Sequence, residues 1–500
     1  MAGSSKKIFD ALIWTYLRTI ISVIYGFISV PLLLEYFGKE EYGLITLATS
    51  LNVYLQLMDI GFSGTTVRYF ANWLAKKEYK KVNDLFTTTL SFLGFVGILN
   101  AIILIIFSFF SQTLFSLNNE QDQILKQLIY ILSANAIISW FTSVFDQLIR
   151  SSENIMWLQK RALFPVLCQI LILYSTIHFK LSLSLYFFLL TFSYLLILPL
   201  TVYKLRTILP QISFIPKFKI AIFKEIIGYS ISIFSFGIFQ FSMLNLRPII
   251  LGIQTNVGTV TDYKILDGIT GMVLAISGCF FSVILPSSSK VVAENNVKAQ
   301  NKITYQGTLY ITLLLSLLIF GGITIGGELL DLYVGESYHY LYIWLCIWLI
   351  SLFIQHNQAI STLVFAHTEV KPIAVMSAIS TVIGLSSCWF LTQILGLGGI
   401  VLGYLLYGIC QTLFYYCYYW PKYLHIDSLR VFYKSFLPPI LLGGFSFLLV
   451  SQVFSCFSLD IVYMFFLKGS IFVCIYILLA FYFILESTDR QFFLNLITKK

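Results

Sequence analysis

Charge is scarce in this chain: Asp, Glu, Lys and Arg make up 11% of 500 residues, against 58% hydrophobic ones. Soluble domains carry about a quarter charged residues, and a mean hydropathy of +0.85 lies outside their range. Histidine is scarcer still. The five, His178, His339, His356, His367 and His425, are scattered without metal-ligand spacing, so no metal site is expected. The eight cysteines (Cys168, Cys279, Cys346, Cys388, Cys410, Cys417, Cys456 and Cys474) lie in apolar segments, with neither metal-type spacing nor a paired external framework. They read as small lipid- or core-facing residues. No P-loop, glycine-rich nucleotide fingerprint, zinc motif or nucleophile elbow falls on a suitable element, which argues against an ATPase and against any cofactor.

What the chain has in abundance is apolar segments of bilayer length. A hydrocarbon core of about 30 Å needs about 20 mainly apolar residues per helix, and lipid offers no partners for backbone groups, so helices are the default. The sequence predicts an all-α integral membrane protein of about 14 spans, near residues 10–34, 42–62, 85–110, 127–149, 162–177, 183–203, 225–251, 261–285, 303–326, 338–365, 372–392, 398–419, 435–457 and 463–485. Only His178 and Lys180 mark the turn between the fifth and sixth. Lys6 and Lys7 precede an apolar stretch too long for a signal core, so the first span is expected to stay in the mature protein.

Lys and Arg are retained on the cytoplasmic side during insertion. With the N-terminus inside, only Lys39, Lys126 and Lys180 of the 32 Lys and Arg fall in external loops. Arg18, Arg247, Lys264 and Lys468 lie within or at the edge of spans, and the rest are cytoplasmic. Both termini are therefore expected in the cytoplasm. The net charge of +9 is then mostly a topological signal, and it calls for no nucleic-acid partner.

The halves echo each other. Pro31-Leu-Leu-Leu is followed by Tyr42 opening the second span, and Pro248-Ile-Ile-Leu by Tyr263 in the eighth. Six spans separate the copies, so both insert with the same orientation, as a parallel repeat about an axis along the membrane normal. This predicts an N-lobe over 1–210 (helices 1–6), a C-lobe over 211–425 (helices 7–12), and an additional helix pair with a cytoplasmic tail over 426–500. The basic stretch Lys204 to Lys224 serves as the linker.

The stretch from Pro31 to Ala71, above all the YFGKEEYGL loop and DIGFSGTTVRYFA, resembles the start of bacterial polysaccharide flippases. These are the O-antigen and capsule repeat-unit exporters of the multidrug, oligosaccharidyl-lipid and polysaccharide exporter superfamily. Weaker similarity in span count, repeat and the small-residue stretch GLGGIVLG (Gly396 to Gly403) extends over the chain. The resemblance implies two six-helix lobes around a central cavity opening alternately to each side of the inner membrane. It implies as substrate a polyprenyl-diphosphate-linked oligosaccharide, and as partners membrane lipid, the polysaccharide polymerase and the chain-length machinery.

Polar positions in the first span, Thr15, Arg18, Ser22, Tyr25 and Ser29, are spaced 3, 4, 3 and 4, one face of a helix. Thr49, Asn52, Gln56, Asp59 and Ser63 repeat the pattern in the second. Such stripes face either a hydrated cavity or neighbouring helices. Arg18 lies roughly 12 Å into its helix at 1.5 Å per residue, a placement that costs on the order of 3 kcal/mol. It either snorkels to the cytoplasmic surface or presents a planar fork of donors to phosphate oxygens. Arg247 and Lys264 stand near outer span ends, where snorkelling is easier and where Asp267 offers Lys264 a local ion pair. Together the three cations suggest two stations for a diphosphate, with Thr15, Ser22, Tyr25, Asn52 and Gln56 as cavity lining. Asp59, Asp146 and Asp267 are candidates for a coupling proton or sodium ion. The alternative for Asp146 is an ion pair with Arg150, four residues on. The membrane potential, worth about 2.3 kcal/mol per charge per 100 mV, is a third possible drive.

Two other functions compete. A drug or cation extruder of the same superfamily would want a carboxylate-rich cavity, whereas the deep charge here is mainly positive. A polysaccharide polymerase or ligase would carry a substantial external loop with catalytic residues. The largest external loop here, Ser111 to Lys126, has only Glu120, Asp122 and Lys126 as charges, so no enzyme activity is expected.

Overall fold

The computed structural model describes residues 2–59, 61–294, 297–366, 371–455, 457, 460–485 and 490. Among them all regular secondary structure is helical, as a chain without aqueous partners for its backbone requires. In chain order the helices are α1 (Ala2–Phe37), α2 (Lys39–Leu55), α3 (Phe62–Ala75), α4 (Tyr79–Leu114), α5 (Asn119–Ser151), α6 (Ile155–Arg161) and α7 (Leu163–Phe179). They continue as α8 (Leu183–Leu195), α9 (Leu198–Ile208), α10 (Ile220–Asn245), α11 (Arg247–Gln254), α12 (Val257–Ala293), α13 (Val297–Lys302) and α14 (Thr308–Val334). The last are α15 (Tyr342–Ser351), α16 (Gln358–Ala366), α17 (Lys371–Leu395), α18 (Leu397–Phe414), α19 (Ser428–Val431), α20 (Leu437–Phe454) and α21 (Ile461–Leu479).

Among the described residues, eleven helical stretches are long and apolar enough to cross a membrane. This is a multi-pass membrane protein. The other three expected segments fall on α2, on α10 with α11, and on α12. The turn expected at His178 to Lys180 is there: α7 stops at Phe179 and Lys180 adopts a left-handed φ of 52°. Of the cysteines, Cys388 is buried, Cys168, Cys346 and Cys410 are half-buried, and Cys417 and Cys474 are exposed on apolar helices. The Cys279 side chain, Cys456 and His367 lie outside the described residues.

Two compact units divide the chain, Met1–Lys264 and Ile265–Lys500. The division falls inside α12 because the first turns of that helix pack on α2. A Cβ on Gly43 would lie 2.2 Å from the Val257 carbonyl oxygen, Thr261 Oγ1 donates to the Lys39 carbonyl at 2.5 Å, and Lys39 Nζ pairs with Asp262 at 2.7 Å. Contact therefore divides the chain after Lys264, whereas the expected lobes would meet at 210/211. The stretch read as a linker is also strapped down: Ser213 N donates to Asn83 Oδ1 at 2.8 Å and Lys219 Nζ pairs with Asp84 at 2.6 Å.

In the first unit an aromatic and aliphatic core (Phe62, Phe70, Phe86, Leu90, Leu148, Leu205) joins α3, α4, α5 and α9. In the second, α20 and α21 pack on α14, where Ser316 Oγ donates to the Pro439 carbonyl at 2.6 Å and Lys468 pairs with Glu328. Small residues spaced four apart let helices of this unit approach closely. Gly399 and Gly403 bring α18 against Thr392 and Cys388 of α17, and Gly322 and Gly326 bring α14 against Leu349 and Tyr342.

Candidate substrate path in the first unit

α1 is a helix with its polarity reversed relative to a soluble one. Leu17, Ile20, Ile24, Ile28 and Leu32 recur every three or four residues and are all exposed. Thr15, Arg18, Ser22 and Tyr25 are half-buried and Ser29 is buried. Acyl chains suit the first stripe and would penalise the second, so the arrangement satisfies both. α1 lies against α2, α6 and α7.

Arg18 is therefore held on the protein side of α1, and its Nε is enclosed with no hydrogen-bond partner among the described residues. One turn back, the Trp14 ring receives Lys160 Nζ from α6 at 4.7 Å. The Tyr25 hydroxyl interacts with that of Tyr186 on α8.

α2 and α5 form a polar wall between two clefts of about 510 and 420 Å³. Asn52, Gln56 and Ser139 border both. The larger cleft adds Asp59, Ser63 and Ser143, faced by Phe234, Ile238 and Phe241 of α10. Here α2 tightens into a 3-10 turn, Gln56–Asp59, and Gly61 takes a φ of 66° before α3 begins. The break turns Asp59 back onto α3, where it accepts from Ser63 N at 3.1 Å and Ser63 Oγ at 2.7 Å. Gln147 Nε2 reaches the same Ser63 oxygen at 2.7 Å, and Thr66 Oγ1 donates to Gln147 Oε1 at 2.5 Å. The carboxylate ends a relay that stitches α2, α3 and α5 together.

The smaller cleft is bordered by Asn135, Asp146, Arg161, Tyr194 and Thr201. Arg161 clasps Asp146 through both nitrogens, at 2.6 and 2.7 Å, and donates to Thr201 Oγ1 at 2.7 Å. This corrects the expected pairing of Asp146 with Arg150, which is exposed. The turn at Ser152 to Asn154, with Glu153 at a φ of 61°, folds α6 back along α5 and delivers Arg161 from fifteen residues away. Helical spacing alone finds only neighbours three or four residues off.

Arg247 opens α11 beside Pro248, an ordinary first-turn proline. Its side chain does not snorkel: it is 4% exposed, sits 5.5 Å from the Tyr263 ring centroid, and donates from Nε to the Leu244 carbonyl at 3.4 Å. Lys264 is half-buried on α12 as the last residue of the first unit, and half-buried Asp267 belongs to the second. The wall thus gathers Asn52, Gln56, Asp59 and Asp146, while Arg18 stands on α1 and Arg247 at the start of α11. On α5 the sequence reading names only Asp146 as a site residue, although Asn135, Ser139, Thr142 and Asp146 are spaced 4, 3 and 4 and form a readable stripe.

No family model matches the chain, and no curated protein matches it in sequence. Solved structures do match in fold. A structure of the lipid II flippase MurJ in an inward closed conformation superposes with a TM-score of 0.72 at 13% identity, covering 94% of this chain and 98% of that one. An inward-facing multidrug resistance MATE family transporter of the MOP superfamily gives 0.59 at 12% identity, covering 87% and 96%. A structure of the MATE multidrug transporter DinF-BH gives 0.52 at 13%, covering 82% and 95%. The likeness at such identities is one of fold.

Proposed function

We propose that the chain moves polyprenyl-diphosphate-linked oligosaccharide repeat units from the cytoplasmic to the outer leaflet of the bacterial inner membrane, by alternating access, for O-antigen or capsule synthesis. In this reading the chain crosses fourteen times with both termini in the cytoplasm, and two six-helix lobes flank the path. The observation that carries it is α1: its exposed face is apolar, yet its inward stripe holds a guanidinium whose Nε has no protein partner among the described residues. A retained cost of about 3 kcal/mol is explained if Arg18 meets an anionic headgroup, which its fork of donors fits. Arg247 and Lys264, farther along the chain's path through the membrane, supply the second station.

A cation extruder is less well supported. Both carboxylates bordering the clefts are already engaged, Asp59 by Ser63 and Asp146 by Arg161. Those bonds also favour structural over ion-coupling roles for these two.

Deletion of the gene should make lipid-linked repeat units accumulate on the cytoplasmic leaflet and remove surface polysaccharide. Arg18→Ala or Arg247→Ala in an otherwise intact chain should do the same while the protein still inserts. Wild-type export from both variants would remove the anion site. Units flipped but not joined in the deletion strain would point to a polymerase or ligase instead.

A further inference from the structure

The second unit holds a buried histidine that this transport reading leaves unused. His356 lies in the 3-10 turn Leu352–Asn357, which breaks the span Glu336–Val364 between α15 and α16, and it is 1% exposed. Its Nδ1 is 2.6 Å from the Phe353 carbonyl and its Nε2 is 2.7 Å from the Tyr416 hydroxyl. A carbonyl only accepts, so Nδ1 carries the hydrogen. The neutral ring then offers its lone pair at Nε2, and Tyr416 donates to it.

The surroundings are built for more than packing. A cavity of about 200 Å³ adjoins the ring, bordered by Ser351, Ile354, Gly408 and Thr412, with Phe436 at 4.2 Å between ring centroids. The next residue, Asn357, is 6% exposed, and both its amide atoms are enclosed without a partner among the described residues. An orphaned buried amide of this kind is a cost that stability alone does not explain. Two π-helical segments, Tyr415–Leu424 and Phe432–Phe436, close on the same histidine, so three irregular turns converge there. Such turns mark hinges and functional sites.

The turn packs against α14, α15, α16 and α18. On α14, Glu328 pairs with Lys468 and Asp331 with His339, and Tyr310 and Tyr333 are the other titratable groups. α15 carries Tyr342 and Cys346, α18 carries Tyr404, Tyr407 and Cys410, and α16 carries none. The π-helical segments add Tyr415, Tyr416, Cys417, Tyr418, Tyr419 and Tyr423, Lys422 bonded to Tyr418, Tyr433 and the exposed Lys434. The acids are thus engaged away from the imidazole. Among the described residues no carboxylate is bonded to the imidazole, and an imidazolium so placed favours any conformation that lets water in.

We propose that His356 is a proton-binding centre whose protonation drives the α15–α16 break out of the arrangement described here, so that proton uptake and conformational change are one event. A ligand shifts an equilibrium only by its differential affinity for the two states, and a buried neutral ring beside an apolar-lined cavity supplies that difference. The proposal rests on the transport reading for its purpose, but its test uses no substrate.

Hydrogen exchange of the full chain in lipid nanodiscs, corrected for the intrinsic effect of pH, reads the opening directly. If the opened state has an ordinary imidazole with a pKa of about 6.5, lowering pH from about 7.5 to 5.5 raises the open fraction roughly tenfold. Protection should fall by that factor in residues 350–362 and 412–424, and His356→Gln should abolish the change. No pH effect in the wild type, or the same effect in His356→Gln, overturns the proposal. Should that variant fail to fold, Tyr416→Phe keeps the imidazole and must retain a pH-dependent opening, and its loss there counts equally against. Failure here leaves the export defect of Arg18→Ala untouched, and normal export in Arg18→Ala leaves this result standing.

Discussion

Replacing Gly43 by alanine tests the junction of α2 with the start of α12. A Cβ there would lie 2.2 Å from the Val257 carbonyl oxygen, 2.5 Å from Val257 Cγ1 and 2.9 Å from Thr261 Oγ1. The nearest atom is backbone, so no rotamer change relieves it, and the helices must part by roughly 1 Å to restore an ordinary C···O contact of about 3.3 Å. Such separation would also stretch the Thr261 to Lys39 hydrogen bond and the Lys39–Asp262 ion pair. Overpacking of this kind costs about 1–3 kcal/mol, while alanine returns up to about 1 kcal/mol of helix propensity. A net loss of about 1–2 kcal/mol remains, or a fall of roughly 2–8 °C in Tm at about 2–4 °C per kcal/mol. The control is Gly26→Ala, which meets nothing within 4 Å and should hold or raise Tm. Thermal unfolding of both purified variants in one detergent decides it. Equal Tm for Gly43→Ala and wild type would refute the argument that this close approach requires glycine.

Three further outcomes follow from the same geometry. Arg161→Ala leaves Asp146 without its fork, and with side-chain exposures of 14% and 37% the loss should be about 1–3 kcal/mol; a double-mutant cycle with Asp146→Asn should show coupling, whereas Arg150→Ala should show none. Lys39→Ala and Asp262→Asn should couple by about 1 kcal/mol and weaken with added salt, because Lys39 is 35% exposed; salt-independent, additive effects would exclude the pair. Burial, reinforced by Glu120, raises the pKa of Glu41, which lies in the first turn of α2 and outside the expected second span. A carboxyl that holds its proton more tightly when folded gains stability as pH falls through its folded value and loses it as pH rises. Glu41→Gln should flatten Tm between about pH 4 and 7 relative to wild type, and an unchanged slope would remove the effect.

Much of the architecture was legible because lipid imposes it. Without aqueous partners the backbone must close its hydrogen bonds within each segment, so apolar run length alone gives helices and their approximate ends. The polar stripe of α1 was legible for the same reason, since a period of 3.6 residues fixes which side chains share a face. The clefts were less so. Asn52 and Gln56 lay on a stripe that could be read, but Asp59 points where it does because α2 breaks into a tighter turn at Gln56, and the sequence around it has no proline to announce that.

Composition and periodicity by themselves determined that this is a helical membrane protein, which face of its first helix is polar, and that an arginine stands on that face. Only the tertiary structure decided who shelters with whom: Arg161 with Asp146, Lys39 with Asp262, Tyr25 with Tyr186, and His356 between a carbonyl and a tyrosine. The reason is range. Solvation acts on each residue where it stands and leaves its mark in local spacing, whereas pairing depends on turns and helix crossings that bring together residues fifteen to more than two hundred positions apart.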